Sequence, residues 1–231
     1  NPATGPIYIR GIEPGDIVGI EIIDISPVGQ GILRAASGWK LLDVDDDVAV
    51  YDETLKIPFR PMIGVIGVAP DEGSLDGRTP CDQGGNMDTN DVCVNSTVCL
   101  TAQVPGGLLM LGDVHAYMGE GESNGMGIEV AADITLRIGK WDDKLSSYPF
   151  IVREDALISI ASADTLDAAA WKAVEEMRKI VTLMLNVDED EARILVGVLG
   201  NVRVSQIVNP RKTARVEIPL VKTAAGWEIR I

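Results

Sequence analysis

Pro58, Pro61 and Pro70, with Gly64 and Gly67 between them, forbid a helix along KIPFRPMIGVIGVAP. Each proline removes a backbone donor and its ring collides with the preceding turn, while glycine weakens any regular element. An apolar stretch that cannot coil must extend, so this segment predicts an irregular or bulged strand. EPGDIVGIEIIDI makes a similar demand. A Pro14-Gly15-Asp16 turn leads into an Ile/Val run that is apolar on both faces, as in a strand buried between two layers. Aromatic residues make up only 4% of the chain, so Ile, Val, Leu and Ala must fill most of the core.

The strand character continues. TPCDQGGNMDTNDVCVNSTVCL begins as a loop and runs into a strand, and GGLLMLGDVHAYMG holds a short buried strand, Leu108 to Leu111, that delivers Asp113 and His115 at its end. GMGIEVAADITLRIGKW alternates, with Ile128, Val130 and Ala132 on one face and Glu129 and Ala131 on the other. The pattern changes near residue 164. There Val174, Met177, Val181 and Met184 recur at helical spacing behind Asp164 as N-cap, and a second helix follows, with Asp188 and Glu191 as a capping box and Gly200 as its stop. VRVSQIVNP and ARVEIPLV return to strand. The expected fold is mainly β, barrel-like or sandwich-like, over residues 1–163, with a C-terminal α+β unit over 164–231.

A hydrophobic fraction of 46% excludes an acidic disordered chain, despite a net charge of −15. That charge argues against a nucleic-acid backbone or an anionic membrane as partner. It suits a neutral or cationic small molecule, or a divalent metal. Cys81, Cys93 and Cys99 are odd in number and form no C-x-x-C, so they read as reduced thiols of a cytoplasmic protein. No apolar run reaches the roughly 18 residues of a membrane helix. The acidic DVDDD run (43–47) reads as a solvated turn, because it lacks the glycine and distal acid of a calcium loop. Asn1 is not an initiator methionine, and the expectation is of a truncated, processed or disordered start.

GDVHAYMGEGE (112–122) holds the only histidine of the chain among Asp113, Glu120 and Glu122. In an extended Asp113-x-His115 both side chains share a face, so they can bind one metal ion or form an acid–base pair. Gly119 and Gly121 let the chain turn and bring Glu120 and Glu122 alongside. The plain alternative is a surface His–acid pair beside solvated loop charges. A second loop, DQGGNMD, offers Asn86 and Asp88 two residues apart, with an ordinary Asx turn as its plain alternative. One histidine excludes a multi-histidine zinc site, and neither a G-x-S-x-G elbow nor a Walker loop is present.

Taken together, GGNMD (84–88), GGLLMLGDVHAYMGEGE (106–122) and GMGIE (125–129) resemble the acetamidase/formamidase family. NPATGPIYIRGIEPGDIVGIEIIDI, GVIGVAP (64–70) and VSQIVNP (204–210) agree, in the right order. The resemblance implies a β-rich hydrolase that converts a small aliphatic amide to a carboxylate and ammonia, and a family N-terminal stretch that precedes this chain. Tyr117, Met118 and Glu120 stand where many relatives have smaller or shorter residues, with Asp in place of Glu120.

With the chemistry above, the resemblance implies that Asp88, Asp113 and His115 hold a divalent metal, zinc or a similar ion. Glu122 would deprotonate water, Glu129 would orient that carboxylate or bind the amide nitrogen, Glu120 would join this carboxylate group, and Asn86 would donate to the carbonyl oxygen. Gln206 is a weaker candidate. Two alternatives stay open: a non-catalytic small-molecule or metal-binding member of the scaffold, and a Cys–His acyl mechanism. The expected partners are a small amide and further copies of the chain in a homo-oligomer.

Overall fold

The structure, a computed structural model, describes residues 3–36, 38–45, 47–74, 76–223 and 226–229. The expectation for Asn1, and Asp46 within the acidic turn, lie outside the described residues. The chain opens with twelve strands: β1 (Ala3–Ile7), β2 (Ile17–Ala35), β3 (Gly38–Asp45), β4 (Val48–Val50), β5 (Lys56–Pro58), β6 (Met62–Gly67), β7 (Gly84–Asn86), β8 (Thr97–Thr101), β9 (Leu109–His115), β10 (Glu129–Trp141), β11 (Phe150–Val152) and β12 (Leu157–Ala163). Two helices follow, α1 (Leu166–Leu185) and α2 (Glu189–Leu199), then β13 (Asn201–Gln206), β14 (Lys212–Ile218), β15 (Leu220–Thr223) and β16 (Gly226–Ile229). Strand makes up 47% and helix 14%, so the fold is mainly β with a C-terminal helical and stranded portion, as the sequence implies.

Fourteen of these strands form one curled antiparallel sheet, running β13-β14-β12-β11-β8-β2-β10-β9-β6-β7, with β1 on β9 and β3 to β5 continuing from β2. The long strand β2 is the spine. Ile17 to Glu21 pair with β8, Ile17 to Ile32 follow β10, and Gly31 to Ala35 turn into β3. Ile17 to Ile20 are buried, as a strand covered on both faces requires. β6 is buried throughout, and the prolines that forbade a helix fall outside it.

One apolar cluster, including Ile20, Ile22, Ile63, Ile66, Leu109 and Ile158, lies within the curl. A second packs α1 and α2 on β12 and β14 through Met177, Ile180, Val181, Val196 and Val216. Met177 and Val181 of the expected helical stripe are fully buried, with Val174 and Met184 packed at their flank. The cap of α1 is one residue later than expected. Thr165, not Asp164, has the extended cap conformation, and its hydroxyl accepts from the Ala168 N–H. The α2 cap is the expected one: the Asp188 carboxylate accepts from the Glu191 N–H at 2.9 Å.

Candidate active site

Antiparallel register brings the site together. His115 lies opposite Met62 of β6 on one side and opposite Glu129 of β10 on the other, so three strands put their side chains in one row. His115 is 1% exposed, and its Nε2 lies 3.2 Å from Glu129 Oε1. Asp88 and Glu122, both buried, arrive from loops. The described residues contain two groups with the spacing of metal ligands, Asp88–His115–Glu122 and Asp113–His115–Glu129, each with its donor atoms within 4.8 Å of one another. His115 is common to both.

Backbone geometry sets these carboxylates apart from the rest. Among the described residues six non-glycine positions have positive φ, and three of them are Asp88 (44°), Asp113 (60°) and Glu122 (47°). Each left-handed residue of this kind costs about 1–3 kcal/mol, and such strain gathers where function over-determines the backbone. Asp113 therefore breaks the plain extended Asp-x-His expected from the sequence. Alternation holds from Leu109 to Leu111 and changes phase at Asp113, so the convergence on His115 arises from a left-handed residue inside a strand rather than from simple period-two geometry.

Two glycines make the room. A Cβ at Gly64 would stand 2.6 Å from Asp88 Oδ1 and 3.1 Å from Asp113 Oδ2, and one at Gly127 would stand 2.9 Å from the imidazole Cγ. Asn209 closes the floor: its side-chain amide donates to Asp88 Oδ2 at 2.6 Å and to the Asn86 carbonyl at 3.1 Å.

The electrostatics follow from burial. Desolvation pushes the Asp88 carboxyl up to about 6, with His115 and the Asn209 hydrogen bond opposing it. Burial, then Glu129, raise Asp113 to about 7. Burial, then Asp88, raise Glu122 to about 8, so at neutral pH Glu122 keeps a proton that it shares with Asp88. Burial alone would lower His115, but the hydrogen bond and charge of Glu129, with Asp88 and Asp113, hold it up at about 9. Two buried atoms, His115 Nδ1 and Glu122 Oε2, have no partner. Orphaned buried donors and acceptors are costly. These two belong to the same group of three, and a hard or borderline divalent cation is the ligand that would satisfy an imidazole nitrogen and carboxylate oxygens at once. The residues therefore fit such an ion.

The cluster opens into a cavity of about 930 Å³, whose wall includes Asn86, Asp113, Glu122 and Glu129 beside apolar Ile32, Met126 and Val130.

Residues 75–153 match the family model for the acetamidase/formamidase family. An acetamidase of Bacillus halodurans is 40% identical and superposes with a TM-score of 0.91, covering 94% of this chain and 78% of that one. The chain belongs to the acetamidase/formamidase family. A Thermoanaerobacter tengcongensis protein described as an acetamidase/formamidase is 36% identical, with a TM-score of 0.90 over 94% of this chain and 76% of its own. A Schizosaccharomyces pombe protein named as a formamidase is 27% identical over 58% of this chain, which spans 50% of that curated relative. A γ-lactamase of Delftia acidovorans, 17% identical with a TM-score of 0.59, shares the fold.

Within this family member, six of the seven site residues expected from the sequence line one place: Asn86, Asp88, Asp113, His115, Glu122 and Glu129. The expected triad Asp88–Asp113–His115 is split between the two groups that share the histidine. Glu120 goes elsewhere. Its carboxylate accepts from Arg215 Nη2 at 2.6 Å and lies 3.6 Å from Arg203, outside both groups. Gln206 is structural: its amide bonds Arg211, Thr213 and the N–H groups of Val208 and Asn209, fixing the turn that carries Asn209. The sequence reading missed Asn209 and Gly64. Their signals were an amide after the apolar end of a strand, and a glycine within one. Burial pushes the Cys81 and Cys93 thiols up, away from the thiolate, and neither group of potential ligands contains a cysteine.

Proposed function

We propose that this chain hydrolyses a small aliphatic amide to a carboxylate and ammonia. The observation that carries the reading is the orphaned buried pair His115 Nδ1 and Glu122 Oε2 beside Asp88, with Glu122 lining a cavity, in a member of the acetamidase/formamidase family. Asp88, His115 and Glu122 would hold a divalent cation, zinc or a similar ion. Bound there, it supplies Lewis acidity to the amide carbonyl and lowers the pKa of water. Glu129, hydrogen-bonded to the opposite imidazole nitrogen, orients His115 and fixes its tautomer, as a carboxylate behind a metal-binding histidine does. This reading moves Glu122 from the water-activating base to the donor set.

The base is then Asp113. It lines the cavity, and its carboxyl is raised to about 7, close to the value at which a group both takes and returns a proton efficiently at neutral pH. Asp113 takes a proton from water as the water oxygen bonds to the carbonyl carbon. It returns that proton to the amide nitrogen as the C–N bond breaks, which releases ammonia and leaves the acid. Asn86, on the cavity wall, orients the substrate. The thiol state of the three cysteines supports a cytoplasmic setting, and exposed Ile32, Trp39 and Leu41 on the β2–β3 arm support self-association. No helix among the described residues is long and apolar enough to cross a membrane.

The test is ammonia release from formamide and acetamide before and after chelation, with His115→Ala alongside. We expect turnover that is lost on chelation, returns with Zn²⁺, and falls by about 10²-fold or more in the variant. Turnover indifferent to both treatments would refute the cation-assisted site, and no release from any small amide would refute the amidase reading.

A further inference from the structure

The side chain of Arg215, in the middle of β14, is only 2% exposed, and a buried guanidinium is tolerated only when its donors are met. Nε donates to Asp91 Oδ2 at 2.5 Å, Nη2 to Glu120 Oε1 at 2.6 Å, and Nη1 to the Val204 carbonyl at 2.8 Å and the Ser205 hydroxyl at 3.3 Å. The two carboxylates belong to the two loops that enter the site. Asp91 follows Asp88 by three residues, and Glu120 precedes Glu122 by two.

We propose that Arg215 is the positioning residue that sets the separation of Asp88 and Glu122, clamping both loops to β14 through one planar fork. The proposal rests on the reading of Asp88, His115 and Glu122 as a cation site.

The clamp has work to do. Asp88 and Glu122 are both left-handed, at φ 44° and 47°, and two carboxyl groups at this spacing can both ionise only with a cation between them. Neither the backbone state nor the approach is favourable by itself, so both need support from outside the pair. Further tethers run to the strand beside β14. The Thr89 hydroxyl donates to Ser205 Oγ at 2.9 Å, the Gly121 N–H to the Ser205 carbonyl at 3.0 Å, and the Ile207 N–H to the Gly121 carbonyl at 3.0 Å. Arg153 donates to the second oxygen of Asp91 at 2.6 Å, so that carboxylate is held from both of its oxygens. A lysine at position 215 would bring the charge without the fork. Glu120, expected from the sequence to join the catalytic carboxylates, thus acts through Glu122.

The experiment measures Zn²⁺ affinity by calorimetry on the full chain and on Glu120→Gln, Glu120→Asp and Arg215→Lys, with Tm and acetamide turnover for each. Glu120 is 39% exposed, so its substitution is compatible with folding even where one at Arg215 is not. Glu120→Gln should weaken Zn²⁺ binding by about 10–100-fold and lower kcat more than it raises KM, at nearly constant Tm. Glu120→Asp, which keeps the charge, should recover most of the affinity. Glu120→Gln binding Zn²⁺ as tightly as the parent overturns the clamp and leaves the proposed function standing. A parent whose Zn²⁺ affinity depends on Glu120 but which releases no ammonia upholds the clamp and overturns the amidase. A parent without Zn²⁺ affinity overturns the clamp together with the cation site it serves, whatever its acetamide turnover.

Discussion

Gly64 shows how much of this site is decided by a missing side chain. A Cβ at this position would stand 2.6 Å from Asp88 Oδ1 and 2.9 Å from the Asp113 carbonyl oxygen, which leaves no room for even a methyl group. Gly64→Ala should cost about 1–3 kcal/mol in unfolding free energy through overpacking, and should weaken Zn²⁺ binding because Asp88 and Asp113 are pushed apart from the glycine side. Denaturant melts paired with calorimetry check this, and a variant of unchanged stability and affinity would contradict it.

The titratable groups give a second prediction at the same scale. In the cation-free chain Asp88, Asp113 and Glu122 have folded values of about 6, 7 and 8, above those of the unfolded chain, so the native state holds more protons than the unfolded one. His115, raised to about 9, adds stability that is complete below its unfolded value near 6.5 and is lost as pH climbs through 9. All four contributions have the same sign. Cation-free Tm should fall from pH 6 to pH 9, and Zn²⁺ should reverse the fall, with affinity rising about tenfold per pH unit for each proton displaced. A cation-free Tm that rises over this window would contradict the burial of these groups.

At the scale of elements, the α1 cap separates two neighbouring polar residues that look equivalent in the sequence. Thr165→Ala should lower stability by about 1 kcal/mol and Asp164→Ala much less, since only the threonine hydroxyl meets the Ala168 N–H. Comparison of urea midpoints decides between them.

Elements with one dominant local signal were legible in the sequence. The apolar spacing gave Met177 and Val181 as the buried stripe of α1, the capping box gave Asp188, and the apolar run before Asp113 gave β9. What was not legible depends on partners distant along the chain. The left-handed turn at Asp113 leaves no mark in GDVHA, because only the carboxylates crowded against Gly64 show why it is needed. Glu120 and Glu122 look interchangeable in GEGE. They diverge because Arg215 lies 95 residues further on and captures the first of them. Within KTARVEI the buried arginine reads as an ordinary outward strand charge, since sequence alternation cannot reveal a strand covered on both faces.

At the scale of the molecule, the helical portion and the β body share one sheet. β14 lies between β12 and β13, and pairs with β12 at every position from Leu157–Ile218 to Ala163–Lys212. The same strand carries Arg215. A chain ended at residue 163 should therefore lose more than its helices. It would expose the β12 edge, unseal the core cluster that joins Phe150 and Leu157 to Met177 and Val216, and release both site loops. We expect it to lack a cooperative melt and to bind no Zn²⁺, as scanning calorimetry and titration would reveal. A truncated chain with near-parental affinity would mean that the loops hold their own geometry.

His115 is the sole imidazole of 231 residues, and it sits where three strands and two loops meet. Its consequence is spectroscopic. Isotope-labelled histidine would give this protein a single pair of ring-nitrogen resonances, needing no assignment. That one signal would follow tautomer, protonation and ligation at the centre of the molecule through titrations in which every other residue stays silent.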